Sequence, residues 1–243
     1  MSRSVGIMET IRELLPEWAV AAFDVVSLFG DLLVIVPLLG LLYLADVRRS
    51  IERGDPDQPL CSDRTAFLIA TVFGGLSCIV VLKATFAAPR PPVEFHAVQP
   101  SAFGFPSGHT MAATVFWGAL ATWTAIGRRR TRLAAAGLIV ALVALSRLAL
   151  GVHYLVDVVA SIVFGTVYLY GMWAFVRGNA MRAFGVAIVL SVLATVVTGG
   201  SSDGLLALVG TVGSFIGWVV SEHAPVRQRI IQIITTIDQR LSS

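Results

Sequence analysis

Charge is what this chain of 243 residues has least of: 14% of its residues are Asp, Glu, Lys or Arg, and 56% are hydrophobic. A soluble globular domain is about 25% charged, so at a mean hydropathy of +0.81 an ordinary soluble domain is excluded. Lysine is nearly absent, with Lys83 the only one. The two cysteines, Cys61 in a polar stretch and Cys78 inside an apolar run, have neither metal-ligand nor redox spacing and read as free thiols. Internal repeats and low-complexity segments are also missing, and no credible metal cluster stands out. The formal charge of +3 would suggest a nucleic-acid partner in a soluble protein. Here the basic residues have a topological explanation, and no nucleic acid is expected.

What the chain has instead is a series of apolar runs near the 17 to 25 residues that cross about 30 Å of hydrocarbon. Candidate spans lie near Ala19 to Ala45, Ala66 to Ala84, Thr110 to Ile126, Leu133 to Leu150, Tyr154 to Phe175, Ala183 to Val197 and Leu205 to Val220. The last two are short, and a shallow hairpin is the alternative for them. The expected fold is therefore all-α, a polytopic transmembrane helical bundle of six to seven spans. Short cytoplasmic loops are enriched in Arg and Lys. Arg48, Arg49, Arg53 and Arg64, then Arg128, Arg129, Arg130 and Arg132, then Arg177 and Arg182 fill the breaks after spans one, three and five. That alternation puts these loops and the tail with Arg227, Arg229 and Arg240 inside, and the N-terminus outside.

A single integral-membrane domain over 1–243 is expected. Within it, 1–16 forms an interfacial N-terminal segment, 17–220 the transmembrane core and 221–243 a cytoplasmic amphipathic tail. Val5, Met8, Ile11 and Leu15 make one helical stripe near the start, and Ile230, Ile234, Ile237 and Leu241 another near the end, the pattern of helices lying in a headgroup plane. Glu9, Glu13 and Glu17 precede the first long apolar run, which argues against a cleaved signal peptide.

Away from the arginine loops the ionisable groups are few. Lys83 stands at the outer end of span two in "KATFAAPRP", followed by Arg90. Span three begins at "PSGH", where Ser107 suits an N-cap and Gly108 permits close backbone approach, so first-turn amides face outward. Such amides bind phosphate, though Pro-Ser-Gly also simply starts helices. Span four ends at Ser146 and Arg147, and span five opens on His153 and Asp157, four residues apart and hence on one helical face. Ionisable groups inside membrane spans are costly and usually functional. Spans two to five bring three cations, an amide nest and two histidines, His109 and His153, to one depth.

These stretches resemble three motifs of one family: Lys, six residues, Arg-Pro; Pro-Ser-Gly-His; and Ser-Arg, five residues, His, three residues, Asp, here "SRLALGVHYLVD". The chain is similar to the type 2 phosphatidic acid phosphatase superfamily of integral-membrane lipid phosphate phosphatases, related to the vanadium haloperoxidases. The resemblance spans Lys83 to Asp157 and implies a phosphatase core of four helices, spans two to five. It implies that Lys83, Arg90, Ser107, Gly108 and Arg147 bind phosphate and that His153 attacks phosphorus, oriented by Asp157. His109 would serve as acid and then base. It implies no metal and no cofactor, a membrane lipid phosphate as substrate, and a multi-pass cell-membrane enzyme with its site on the extracytoplasmic side. Phosphatidate, phosphatidylglycerophosphate, lysophosphatidate and polyprenyl diphosphate all fit. A lipid phosphotransferase using the same site, and a non-enzymatic lipid-phosphate-binding membrane protein, are the alternatives. Oligomeric state is left open.

Glu94 and His96 sit in the outer loop before span three, either touching a headgroup or simply solvated. Asp24 and Asp31 share a face of span one, seven residues apart, and either pair with Arg147 or Lys83 or sit at the wet end of a tilted helix. Trp117, Trp123, Trp173 and Trp218 fit lipid-facing or interfacial anchors. A reporter fused after Ser243 should be accessible only from the cytoplasm; reactivity restricted to the outside of intact cells would reverse the topology.

Overall fold

The computed structural model describes residues 6–53, 58–100, 103–125 and 127–241, and among them regular structure is helical throughout. The elements are α1 (Gly6–Leu14), α2 (Glu17–Ser27), α3 (Leu32–Arg53), α4 (Asp63–Phe86), α5 (Gly108–Trp123), α6 (Arg129–Ala149), α7 (Leu155–Gly171), α8 (Ala180–Val197), α9 (Ser202–Glu222) and α10 (Ala224–Leu241). The expected all-α bundle is thus observed. Arg3, Val5 and Ile126 lie outside the described residues.

Local chemistry explains the boundaries. Ser62 caps α4 by accepting from the Thr65 amide at 3.3 Å, Asn179 caps α8 through Arg182 at 2.9 Å, and Ser201 caps α9 through Gly204 at 3.3 Å. Helix α4 stops at Ala87, which turns left-handed and donates its amide to Lys83 O at 2.9 Å. Pro89, Pro91 and Pro92 then prevent continuation.

All seven expected spans are helical, with one break and one short member. Five helices are long and apolar enough to cross a membrane: Asp63–Phe86, Arg129–Ala149, Leu155–Val176 (α7 and its π-helical last turn), Ala180–Val197 and Ser202–Glu222. The last two are thus full helices of 18 and 21 residues, not a shallow hairpin. Span one, expected as continuous, is bent by 44°: a 3-10 turn, Leu28–Gly30, ends α2, and Asp31 restarts the chain as α3 by accepting the Leu33 amide at 2.8 Å. Counting that bent pair as one span makes six. Helix α5 has 16 residues, about 24 Å at 1.5 Å per residue. It is the enclosed helix of the bundle: Met111, Ala113, Val115, Phe116 and Ala119 are all fully buried, and α4, α6 and α7 pack around it.

The terminal stripe at the start of the chain meets protein. Met8 is 1% exposed and Ile11 packs on Ala144, Leu148 and Val158. In α10, Ile237 stays exposed and Ile230 and Ile234 are half-buried. Of the tryptophans, Trp173 is exposed, whereas Trp123 meets Phe67 edge-on at 4.9 Å and Trp218 stacks on Phe184 at 5.3 Å. Those two are packing residues, not lipid-facing anchors. Cys61 is buried, and burial raises its thiol to about 12, the state of an inert structural cysteine.

Helices α4 and α8 make the most extensive interhelical contact, through small residues. Ala70, Ala183 and Ala187 are fully buried, and a Cβ added at Gly74 would stand 3.2 Å from Ala187 Cα and 2.5 Å from the Tyr168 hydroxyl. Without a hydrophobic drive between helices in lipid, such close backbone approach is the main source of packing energy. Gly74→Leu should cost about 1–3 kcal/mol through overpacking, seen as a lower unfolding temperature in detergent; an unchanged transition would contradict this contact.

Candidate active site

The antiparallel run of α4 to α7 sorts the charges to opposite ends. Arg49, Arg53 and Arg64 line one cleft, and Arg64, Arg129 and Arg132 an adjoining one. At the other end meet the last turn of α4 with Lys83, the first turn of α5 with His109, the last turn of α6 with Arg147 and the first turn of α7 with Asp157. Backbone bonds tie these ends together. The Ser107 amide donates to Asp157 O at 3.3 Å, and Ala97 in the long loop after α4 donates to Leu150 O at 3.0 Å.

His153 is 1% exposed and held at both ring nitrogens. Its Nδ1 lies 3.4 Å from Asp157 Oδ2, and the same carboxylate oxygen accepts the Tyr154 amide at 2.9 Å. One carboxylate therefore caps α7 and orients the ring. The other nitrogen, Nε2, stands 3.1 Å from Arg90 Nη1, which also donates to Val152 O at 2.8 Å. An arginine can only donate, so Nε2 presents its lone pair to the cationic side and Nδ1 carries the proton toward Asp157. Burial, then the charges of Arg90, Arg147 and Lys83, hold His153 well below the ordinary imidazole value. The ring is neutral at neutral pH, with its unprotonated Nε2 accepting from Arg90.

The cations are themselves partly or wholly withdrawn from solvent, Lys83 and Arg90 half-buried and Arg147 buried. Arg147 is 4% exposed, and its Nε is buried with no acceptor among the described residues. Burial draws Arg90 down to about 10, against the pull of Asp157, which leaves it charged at neutral pH. Lys83 Nζ donates to Phe103 O at 3.1 Å and lies over the start of α5, where a Cβ on Gly108 would be 3.3 Å from Lys83 Cε. Buried like charges and an orphaned guanidinium nitrogen favour an anion between them.

Ser107 occupies the cap position of α5, but its hydroxyl pairs with Thr110 Oγ1 at 3.0 Å and makes no cap bond. Among the described residues the first-turn amides of α5 consequently have no side-chain acceptor, which suits a helix N-terminus that takes an anion. His109 Nε2 lies 3.2 Å from Asp31 Oδ2. The direct partner of Asp31 is thus His109 rather than Lys83 or Arg147, while Arg147 lies near enough to feel the charges of both Asp24 and Asp31. His96 turns away, its Nε2 bonded to Pro91 O at 3.0 Å, and Glu94 stays exposed in a short 3-10 turn.

Known proteins supply a comparison. Residues 64–181 match the model of the PAP2 superfamily. No curated protein matches the chain. The fold is similar to that in the crystal structure of a transmembrane PAP2 type phosphatidylglycerolphosphate phosphatase from Bacillus subtilis, at a TM-score of 0.58 and 23% identity, covering 71% of this chain and 84% of that one. Lys83, Arg90, the Pro-Ser-Gly-His turn, Arg147, His153 and Asp157 all fall inside the stretch of this multi-pass helical protein that is similar to the PAP2 superfamily.

Proposed function

We propose that this protein is a metal-independent lipid phosphate phosphatase that works through a phosphohistidine at the outer face of the cell membrane. The observation that carries this reading is the His153 ring, neutral, fixed by Asp157 at Nδ1 and directed by Nε2 at Arg90, 3.1 Å away. The match of residues 64–181 to the PAP2 superfamily supports the reaction class. The phosphatidylglycerolphosphate activity named for the structural neighbour supports a lipid phosphate as substrate.

A phosphate monoester carries about −1.5 to −2 charges at neutral pH. Lys83, Arg90 and Arg147 would hold its non-bridging oxygens, with Ser107 and the Gly108 amide completing the cradle. His153 Nε2 attacks phosphorus in line; the phosphorus–oxygen bond to the lipid breaks, and His109 gives its proton to the departing alkoxide. A lipid alcohol leaves. His109 then takes a proton from water, whose oxygen attacks the phosphohistidine; the phosphorus–nitrogen bond breaks, its electron pair returns to Nε2, and inorganic phosphate departs. Preorganised cations in a water-poor site stabilise the charge spread over the phosphoryl oxygens. The tails stay in lipid because the site sits at helix ends.

Purified protein in EDTA should release phosphate from at least one of phosphatidate, phosphatidylglycerophosphate and polyprenyl diphosphate, and His153→Ala should lower the rate by at least about 10³-fold. Appreciable turnover by the variant would remove His153 from the reaction. Phosphate passed to an acceptor, or binding without release, would instead identify a transferase or a binding protein.

The state of His153 has a pH signature. Its folded value lies below the unfolded one, so the stability from burying it neutral is present above about pH 6.5. That stability is lost as the pH falls toward the lowered folded value. Nitrogen-15 NMR of histidine-labelled protein should show His153 still neutral at about pH 6; a protonated ring there would contradict it.

A further inference from the structure

We infer that Asp31, at the break in the first span, is the positioning residue of His109, so that the site contains two histidine–aspartate pairs, one for the nucleophile and one for the acid and base. This rests on the phosphatase reading above. Asp31 lies outside residues 64–181, the region matched by the superfamily model.

The break exists where α5 begins, and the approach is backbone to backbone. A Cβ on Gly30 would collide with the His109 carbonyl and stand 3.0 Å from Val143 Cγ1, so the 3-10 turn can sit against α5 and α6 only with glycine there. Trp117, two turns along α5, donates its indole N–H to Phe29 O at 2.9 Å and tethers the same turn. A straight helix would carry residue 31 past the site. The bend of 44° instead frees the peptide groups on either side and turns Asp31 toward His109.

Each carboxylate oxygen has one task. Asp31 Oδ1 accepts the Leu33 amide at 2.8 Å and starts α3, while Oδ2 lies 3.2 Å from His109 Nε2. This repeats the arrangement at Asp157, where a helix-starting carboxylate also holds an imidazole nitrogen. The two pairs differ in burial. His153 and Asp157 are closed off at 1% and 0% exposure of their side chains, whereas those of His109 and Asp31 are 31% and 30% exposed. A nucleophile needs a dry, fixed ring; a group that exchanges protons with a leaving alcohol and then with water needs an open one. With Nε2 on Asp31, Nδ1 is the nitrogen that carries the exchanged proton. The carboxylate stabilises the imidazolium needed when the alcohol leaves, against the nearby positive charge of Arg147, which itself senses Asp24 and Asp31.

The test separates proton delivery from folding. Asn starts helices as well as Asp does, so Asp31→Asn keeps the bond to Leu33 and removes only the charge facing His109. The value of kcat/KM would be measured on phosphatidate, whose alkoxide must be protonated to leave, and on 4-nitrophenyl phosphate, whose phenolate leaves without a proton. Because kcat/KM covers steps only through departure of the alcohol, the later hydrolysis does not enter. The ratio of the two values within one preparation is independent of the folded fraction. Asp31→Asn should lower kcat/KM on phosphatidate by about 10²-fold and change it by no more than about threefold on the aryl substrate. Asp31→Glu should restore part of the phosphatidate rate. Equal loss on both substrates, or no loss, would overturn the role of Asp31. If phosphatidate is not hydrolysed, the member of the lipid panel above that is hydrolysed fastest takes its place; failure of the unmodified protein to release phosphate from every lipid of that panel and from the aryl ester would overturn the phosphatase reading itself.

Discussion

Three cations gathered at one point, Arg147 buried and Lys83 and Arg90 half-buried, repel one another, and that repulsion is the constraint around which the rest of this structure is organised. Lys83, Arg90 and Arg147 all act electrostatically on His153, and Arg147 is almost without solvent. Such a group of charges persists only where the fold over-determines its geometry. Part of the restraint comes from backbone: Arg90 is held by the carbonyl of Val152 and Lys83 by that of Phe103. Asp157 is buried among them, but its carboxylate is turned to the Tyr154 amide and the imidazole. What results is a site with a surplus of positive charge, stabilised when an anion enters.

That surplus also sets the behaviour of His153, the proposed nucleophile. A buried imidazole beside cations cannot easily accept a proton, so His153 remains a base with an unprotonated Nε2 at the pH where a phosphate monoester is doubly charged. Burial, usually a cost to a polar side chain, here keeps His153 neutral, the form the proposed mechanism needs. The central helix α5 makes this possible. Its interior is packed with Met111, Val115 and Phe116, which hold its first turn rigidly under Lys83.

Much of this was legible in the residues themselves. Apolar length and arginine alternation are one-dimensional properties, so the helices and the separation of arginines from the site follow from the chain alone. The spacing from His153 to Asp157 is likewise local, because a helix puts residues four apart on one face. Other features were not local. Ser107 looks like a cap in sequence, yet its hydroxyl has a nearer partner in Thr110. Trp123 and Trp218 look like lipid anchors, yet neighbouring helices supply Phe67 and Phe184 to receive them.

The first span shows where the division falls. Its apolar composition determined that it would be helical, and the same composition concealed the break, since nothing in Leu28, Phe29 and Gly30 interrupts the hydrophobic run. Only the tertiary structure decided that Gly30 would press on the carbonyl of His109 and that Asp31 would meet its ring. The sequence by itself determined which groups could do chemistry and at what membrane depth, because spacing along a helix converts directly into depth and face. Which carboxylate serves which histidine depended on a contact 78 residues apart in the chain, from Asp31 to His109, and such pairings are settled by packing, not by pattern.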